Sequence, residues 1–220
     1  MSKKKKLKKQ ANTIKGLAQL QAVVEVYSYD SEQLCPWSKT LSNSFGWIRL
    51  SEHTTELEIG SVLAQLVNYN HLENHGEAKE VLGRILSAHS LILPGGIQVR
   101  AASGKVINPG CCCGLEGWRD WLRFLKTGQS PWLGHGPNAW VERAGNLVRV
   151  WSDNRAKAFH IDFERSHFEA QLSKVQQDLS AFLPQVETWA AKVGFREPSK
   201  LSSKFDECFA VSRGLRRRVR

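Results

Sequence analysis

The sequence predicts an α+β fold, a small and mainly antiparallel sheet packed against several helices and flanked by basic tails. Three observations carry that expectation. Apolar residues recur every three or four positions over 57–88, 115–126 and 164–192, the period of one helix face. Short apolar segments flank turn signals over 91–107 and 139–163, the signature of hairpins. At 220 residues the chain is also long enough to bury a core without disulfide or metal staples.

Taken in order, residues 12–26 place Ile14, Leu17, Ala18, Leu20 and Val24 at broadly helical spacing, with Asn12 or Thr13 as cap, while the β-branched run from Val23 also suits a strand. The stretch 30–58 is polar and irregular apart from a short strand at 46–50. Two helices follow. Leu57, Ile59, Val62, Leu63, Leu66 and Val67 form one stripe, and Ala78, Val81, Leu82, Ile85 and Leu86 form the next. Leu91, Ile92 and Leu93 read as a short buried strand ended by a Pro94-Gly95-Gly96 turn, and 97–100 and 105–107 as a hairpin around Ser103-Gly104. A helix is expected over 115–126, with Trp118, Trp121, Leu122 and Leu125 on one side. A punctuated loop follows over 128–137. Residues 139–143 and 147–152 make the clearest hairpin, with 159–163 as an added edge strand. The final helix, 164–192, carries Phe168, Leu172, Val175, Leu179, Phe182 and Leu183, and Pro184 is expected to kink or break it. This organisation is one domain over 12–193, between a basic tail at 1–11 and a loosely packed basic tail at 194–220.

The formal charge of +10 suggests a nucleic-acid partner until it is located. Residues 1–15 hold seven lysines and 213–220 hold five arginines, with no acid in either stretch; the remaining 19 Lys and Arg of 16–212 face 21 Asp and Glu. A mildly acidic body therefore bears two cationic ends. Opposite a polyanion, Lys3–Lys9 and Arg213–Arg220 would bind weakly and without sequence preference through counterion release. They carry no interleaved aromatics for base stacking. The apolar runs are too short to span a bilayer, and no hydrophobic signal region follows the basic start. Five cysteines, three of them adjacent, do not suit a disulfide framework. The expected setting is cytoplasmic and reducing, with no membrane partner.

Cys111, Cys112 and Cys113 follow Asn108-Pro109-Gly110 and precede Gly114. Four chemistries fit such a loop. A zinc site would use at most two of the three, because neighbouring side chains diverge, and would need His135, His160, Cys35 or Cys208 to complete it. A reactive thiol would favour Cys113, next to the expected helix start, with Cys112 facing inward by alternation. A redox sensor needs exposure. Packing of cysteine as a small hydrophobe in a tight strand-to-helix turn explains the cluster without further ligands, and is the preferred reading; no metal or cofactor is expected. Of eight tryptophans, Trp118, Trp121, Trp140 and Trp151 read as core, since their periodic placement is what packing requires. His135, between two glycines, is the most suggestive histidine. His160 and Asp162 share a strand face. No Ser-His-Asp, H-E-x-x-H, EF-hand or phosphate-loop pattern occurs.

The run Pro109-Gly110-Cys111-Cys112-Cys113-Gly114-Leu115-Glu116-Gly117-Trp118-Arg119-Asp120-Trp121, with Pro131-Trp132-Leu133-Gly134-His135 and Val148-Arg149-Val150-Trp151-Ser152-Asp153, resembles a group of conserved hypothetical bacterial proteins of immunity-like type. The resemblance covers roughly 105–190 and supplies no catalytic residues. It implies a non-enzymatic module that binds a protein partner, through the loops that carry Cys111, Cys112, Cys113, Trp132 and His135. A metal- or thiol-dependent enzyme built on 111–113 is the alternative, and a nucleic-acid-associated protein acting through its tails is a further one.

Overall fold

A computed structural model describes residues 17–27, 34–38 and 46–213. The fold is α+β. Among the described residues the order is β1 (Gln19–Val26), β2 (Gly46–Arg49), α1 (Glu56–Tyr69), α2 (Ala78–Ser87), β3 (Gly95–Arg100), β4 (Val106–Ile107), a 3-10 helix (Leu115–Arg119), α3 (Asp120–Thr127), β5 (Trp140–Ala144), β6 (Leu147–Trp151), β7 (His160–Glu164), α4 (Arg165–Lys192) and α5 (Pro198–Phe209). The strands form two sheets, ordered β2-β1-β3-β4 and β5-β6-β7, where one had been expected. Residues 19–26, whose spacing suited either a helix or a strand, form β1 and lie between β2 and β3. Leu20, Ala22, Val24 and Val26 alternate as buried positions, and that period overrides the looser helical spacing. The proposed cap residues Asn12 and Thr13 lie outside the described residues, as do the lysine-rich tail and Arg216–Arg220.

The chain divides into two compact units, one from residues 17–21, 97–113 and 117–175, the other from 22–96, 114–116 and 176–213. In the first, β5, β6 and β7 form an antiparallel meander with Trp140 opposite Trp151 and Val150 opposite Ile161. Val141, Val148, Val150, Ile161 and Phe163 are buried along one face. Phe168 on α4 gathers Trp121, Phe124 and Phe163 around it at ring separations of 6.0, 6.2 and 5.3 Å. Helix α3 ends at Gly128 in the left-handed conformation, φ 76°. Its last carbonyls are covered by Arg143, whose guanidinium donates to the oxygens of Phe124 and Leu125 at 3.3 and 2.6 Å, a cation where the helix dipole favours one. The β3–β4 hairpin falls where the turn at Ser103-Gly104 placed it.

In the second unit, Thr55 and Glu58 close a capping box at the start of α1. Gly60 on that helix lets Trp37 and Trp189 approach, 5.4 Å apart and nearly perpendicular, with the Trp37 indole donating to the Gly60 carbonyl at 2.9 Å. Three expectations change here. Gly95 and Gly96 begin β3 instead of forming a turn; Gly95 has φ +146°, and a Cβ there would collide with the Val23 carbonyl. Helix α4 runs through Pro184, with Phe182, Val186, Trp189 and Ala190 all buried on either side of it. Residues 198–209, expected in a loose tail, form α5, because Leu201, Phe205 and Phe209 recur at four-residue spacing and bury, Phe205 lying 5.4 Å from Phe182.

Candidate functional site

The cysteine loop and the loop at 130–137 are joined by backbone. Gly110 N–H donates to the Leu133 carbonyl at 2.9 Å, and His135 N–H donates to the Cys111 carbonyl at 3.1 Å. Cys111 and His135 thus sit opposite each other in an isolated antiparallel bridge. The approach requires glycine twice. A Cβ on Gly110 would lie 2.7 and 2.8 Å from the carbonyl oxygens of Leu133 and His135, and Gly134 has φ +88° against the backbone of Gly110 and Cys111. Gly110 of the Pro-Gly pair and Gly134 of the Gly-His-Gly run are therefore what let the two loops close on each other.

Cys112 adopts the left-handed conformation, φ 66°. The other described non-glycine residues with positive φ, His71 and Ala210, sit at helix carboxyl ends, where that conformation is ordinary. Cys112 ends no helix. Its turn breaks the period-two alternation that would have pointed it inward. Cys111 and Cys112 are both exposed, and Cys113 is half-buried with its Sγ 3.8 Å from the Trp132 carbonyl. This corrects the expected burial of Cys112. Nor does Cys113 open an α-helix: the following turn is a 3-10 helix from Leu115, and α3 starts only at Asp120.

One ligand atom from each of Cys111, Cys112 and His135 lies within 4.8 Å of the others, and all three side chains face solvent. The Cys111 thiol donates to the His135 carbonyl at 3.2 Å. The Cys112 thiol is held above its ordinary value, first by the Coulombic effect of Cys111 and then by their side-chain hydrogen bond. Trp132 is 58% exposed, and its ring meets His135 edge to face at 4.7 Å. All five sequence-selected residues, Cys111, Cys112, Cys113, Trp132 and His135, therefore belong to one pair of bridged loops.

The other candidates separate from this cluster. Cys35 is buried, which pushes its thiol up to about 12, and burial also raises that of half-buried Cys208. Nε2 of His160 lies 3.7 Å from Asp162, but that carboxylate is committed to Arg149, whose Nε and Nη2 donate to it at 2.8 and 3.0 Å. Trp118 and Trp121 are core, as expected. Trp140 and Trp151 are only half-buried, on the sheet face opposite Val141 and Val150. There they stack at 5.8 Å, and Trp151 continues to His160 at 4.7 Å. This corrects the reading of Trp140 and Trp151 as core: their pairing on adjacent strands was legible in the sequence, but the covered face of the sheet is the one carrying Val141 and Val150.

No protein family, curated protein or solved structure matches this chain. No helix among the described residues is long and apolar enough to cross a membrane.

Proposed function

We propose that the chain is a non-enzymatic, cytoplasmic module that binds a protein partner through the bridged loops at 110–113 and 132–135. One observation carries this reading. Trp132 leaves most of a large apolar ring in water while its flank is held by His135, its carbonyl lies 3.8 Å from the Cys113 Sγ, and the adjoining Leu133 carbonyl accepts from Gly110 of the cysteine loop. An exposed indole on a fixed frame is the type of anchor that dominates protein interfaces, because it brings area at small entropic cost. The partner expected is a protein with an apolar pocket for the indole and polar groups around its rim. The motif resemblance to immunity-like proteins supports the same class. Affinity chromatography from cell extract tests it, using the wild-type chain beside Trp132→Ala. A stoichiometric protein retained by the first and lost by the second supports the reading; a folded monomer that retains nothing contradicts it.

A second, separable contact follows from charge. The cationic ends Lys3–Lys9 and Arg213–Arg220 bear no acid, while the body between them is mildly acidic. Weak nucleic-acid association through these ends, independent of the loop site, is the corresponding proposal.

A further inference from the structure

We propose that Cys111, Cys112 and His135 form a zinc site, a property independent of whether a protein docks on the same loops. Three soft or borderline donors already gather within 4.8 Å on exposed side chains. A tetrahedral zinc, with bonds of about 2.3 Å to sulfur and 2.0–2.1 Å to nitrogen, sets its ligand atoms about 3.5–3.8 Å apart. Closing the set to that spacing takes side-chain movement of about 1 Å, within reach of small rotamer changes while the backbone bridge stays in place.

Two features of the backbone favour this assignment over packing. Successive cysteines in extended chain would point to opposite sides and could not chelate one ion. The left-handed turn at Cys112 brings its sulfur to the side of Cys111 and His135, and it does so at a non-glycine position that ends no helix. A conformation of this kind is strained for a residue with a side chain and persists where the surroundings or a ligand require it. The hydrogen bonds that tie Gly110 to Leu133 and His135 to Cys111 fix the two loops as a preorganised frame, so the donors converge from segments 24 residues apart. Buried cysteines that merely pack have no such geometry; here Cys111 and Cys112 face water.

Charge selects the ion. Two thiolates and a neutral imidazole carry −2, which a divalent cation neutralises and monovalent copper does not. Zinc accepts sulfur and nitrogen together. Three protein ligands leave a fourth position for water or for a donor supplied from outside the chain. Cys113 takes no part, because its half-buried sulfur is turned to the Trp132 carbonyl.

The test uses the reduced full-length chain, titrated anaerobically with Co2+ as a spectroscopic stand-in and then displaced by Zn2+. One equivalent of cobalt should give a thiolate-to-cobalt charge-transfer band with tetrahedral visible absorption, bleached by one equivalent of zinc. Cys111→Ser, Cys112→Ser and His135→Ala should each weaken zinc binding by more than about tenfold, since even outer-shell partners cost 10–100-fold. Cys113→Ser should leave it unchanged. Because the three ligands are exposed, metal-free melting of each variant should match the wild type, which separates lost ligation from lost folding. Absence of the charge-transfer band, or a band that survives Cys111→Ser and His135→Ala, would overturn the site. Thiolate-dependent uptake of Cu(I) with no cobalt spectrum would overturn its assignment to zinc.

Discussion

Trp132 and His135 meet edge to face, ring centroids 4.7 Å apart. An exposed indole ordinarily samples several rotamers, and a contact of this geometry, worth about 0.5–1.5 kcal/mol, favours one of them. His135 is in turn fixed by its backbone bridge to Cys111. The exposed ring, the imidazole and the cysteine loop therefore form a chain of constraints in which each member orients the next.

The two kinds of tryptophan should separate in unfolding experiments. Trp121 is 2% exposed and packs on Phe168, so Trp121→Ala should cost about 3–5 kcal/mol. Trp132→Ala should cost about 1 kcal/mol or less, as expected for a surface position. Urea midpoints at constant slope measure both. A large loss from Trp132→Ala would move that ring into the structural core and remove it as an anchor.

Periodicity located the helices at 56–69, 78–87 and 165–192 and the hairpins of 95–107 and 140–151, because burying one face leaves a repeating pattern in the chain. It left 19–26 open between helix and strand, because alternation and helical spacing overlap there among valines and alanines, and the segment is a strand. It missed α5 because a charged, serine-rich composition hid the Leu201, Phe205 and Phe209 stripe. At the site, residue types and loop glycines pointed to Cys111–Cys113, Trp132 and His135. Their convergence was not legible. It depends on a pairing between loops 24 residues apart and on the φ of Cys112, neither of which leaves a periodic trace.

Thiol labelling should follow exposure rather than proximity to a helix. In native, metal-free protein at pH 8, Cys111 and Cys112 should alkylate first and Cys113 more slowly. Cys35, buried and pushed up to about 12, should label only on unfolding. Peptide mass mapping over time reads the order. Early modification of Cys35 would contradict the packing described for it.

Acid should weaken the three-stranded sheet. The Asp162 carboxyl is held below its usual range, chiefly by its hydrogen bond from Arg149. A depressed carboxyl contributes stability that is full above the unfolded value of about 3.9 and is lost as pH falls through the folded value. Asp162→Asn should therefore lower the melting temperature at pH 7 and lose less on acidification to pH 3 than the wild type. Parallel curves for the two proteins would show that the pair contributes nothing.

Removing residues 1–10 and 214–220 should abolish retention on heparin while leaving the melting temperature unchanged. Arg213 is kept in this truncation because its carbonyl accepts a hydrogen bond from Gln176. Salt-resistant retention by the truncated chain would place a polyanion site on the body instead.

The most direct measurement of the binding face is site-specific photo-cross-linking in the protein's own cells. A photoreactive aromatic residue at Trp132 should capture one protein at close to one per chain. The same probe at Tyr69, an exposed aromatic on α1, should not capture it. Adducts that are absent at 132 in folded protein, or identical from both positions, would contradict a partner docked on the Trp132 and Cys111–His135 loops.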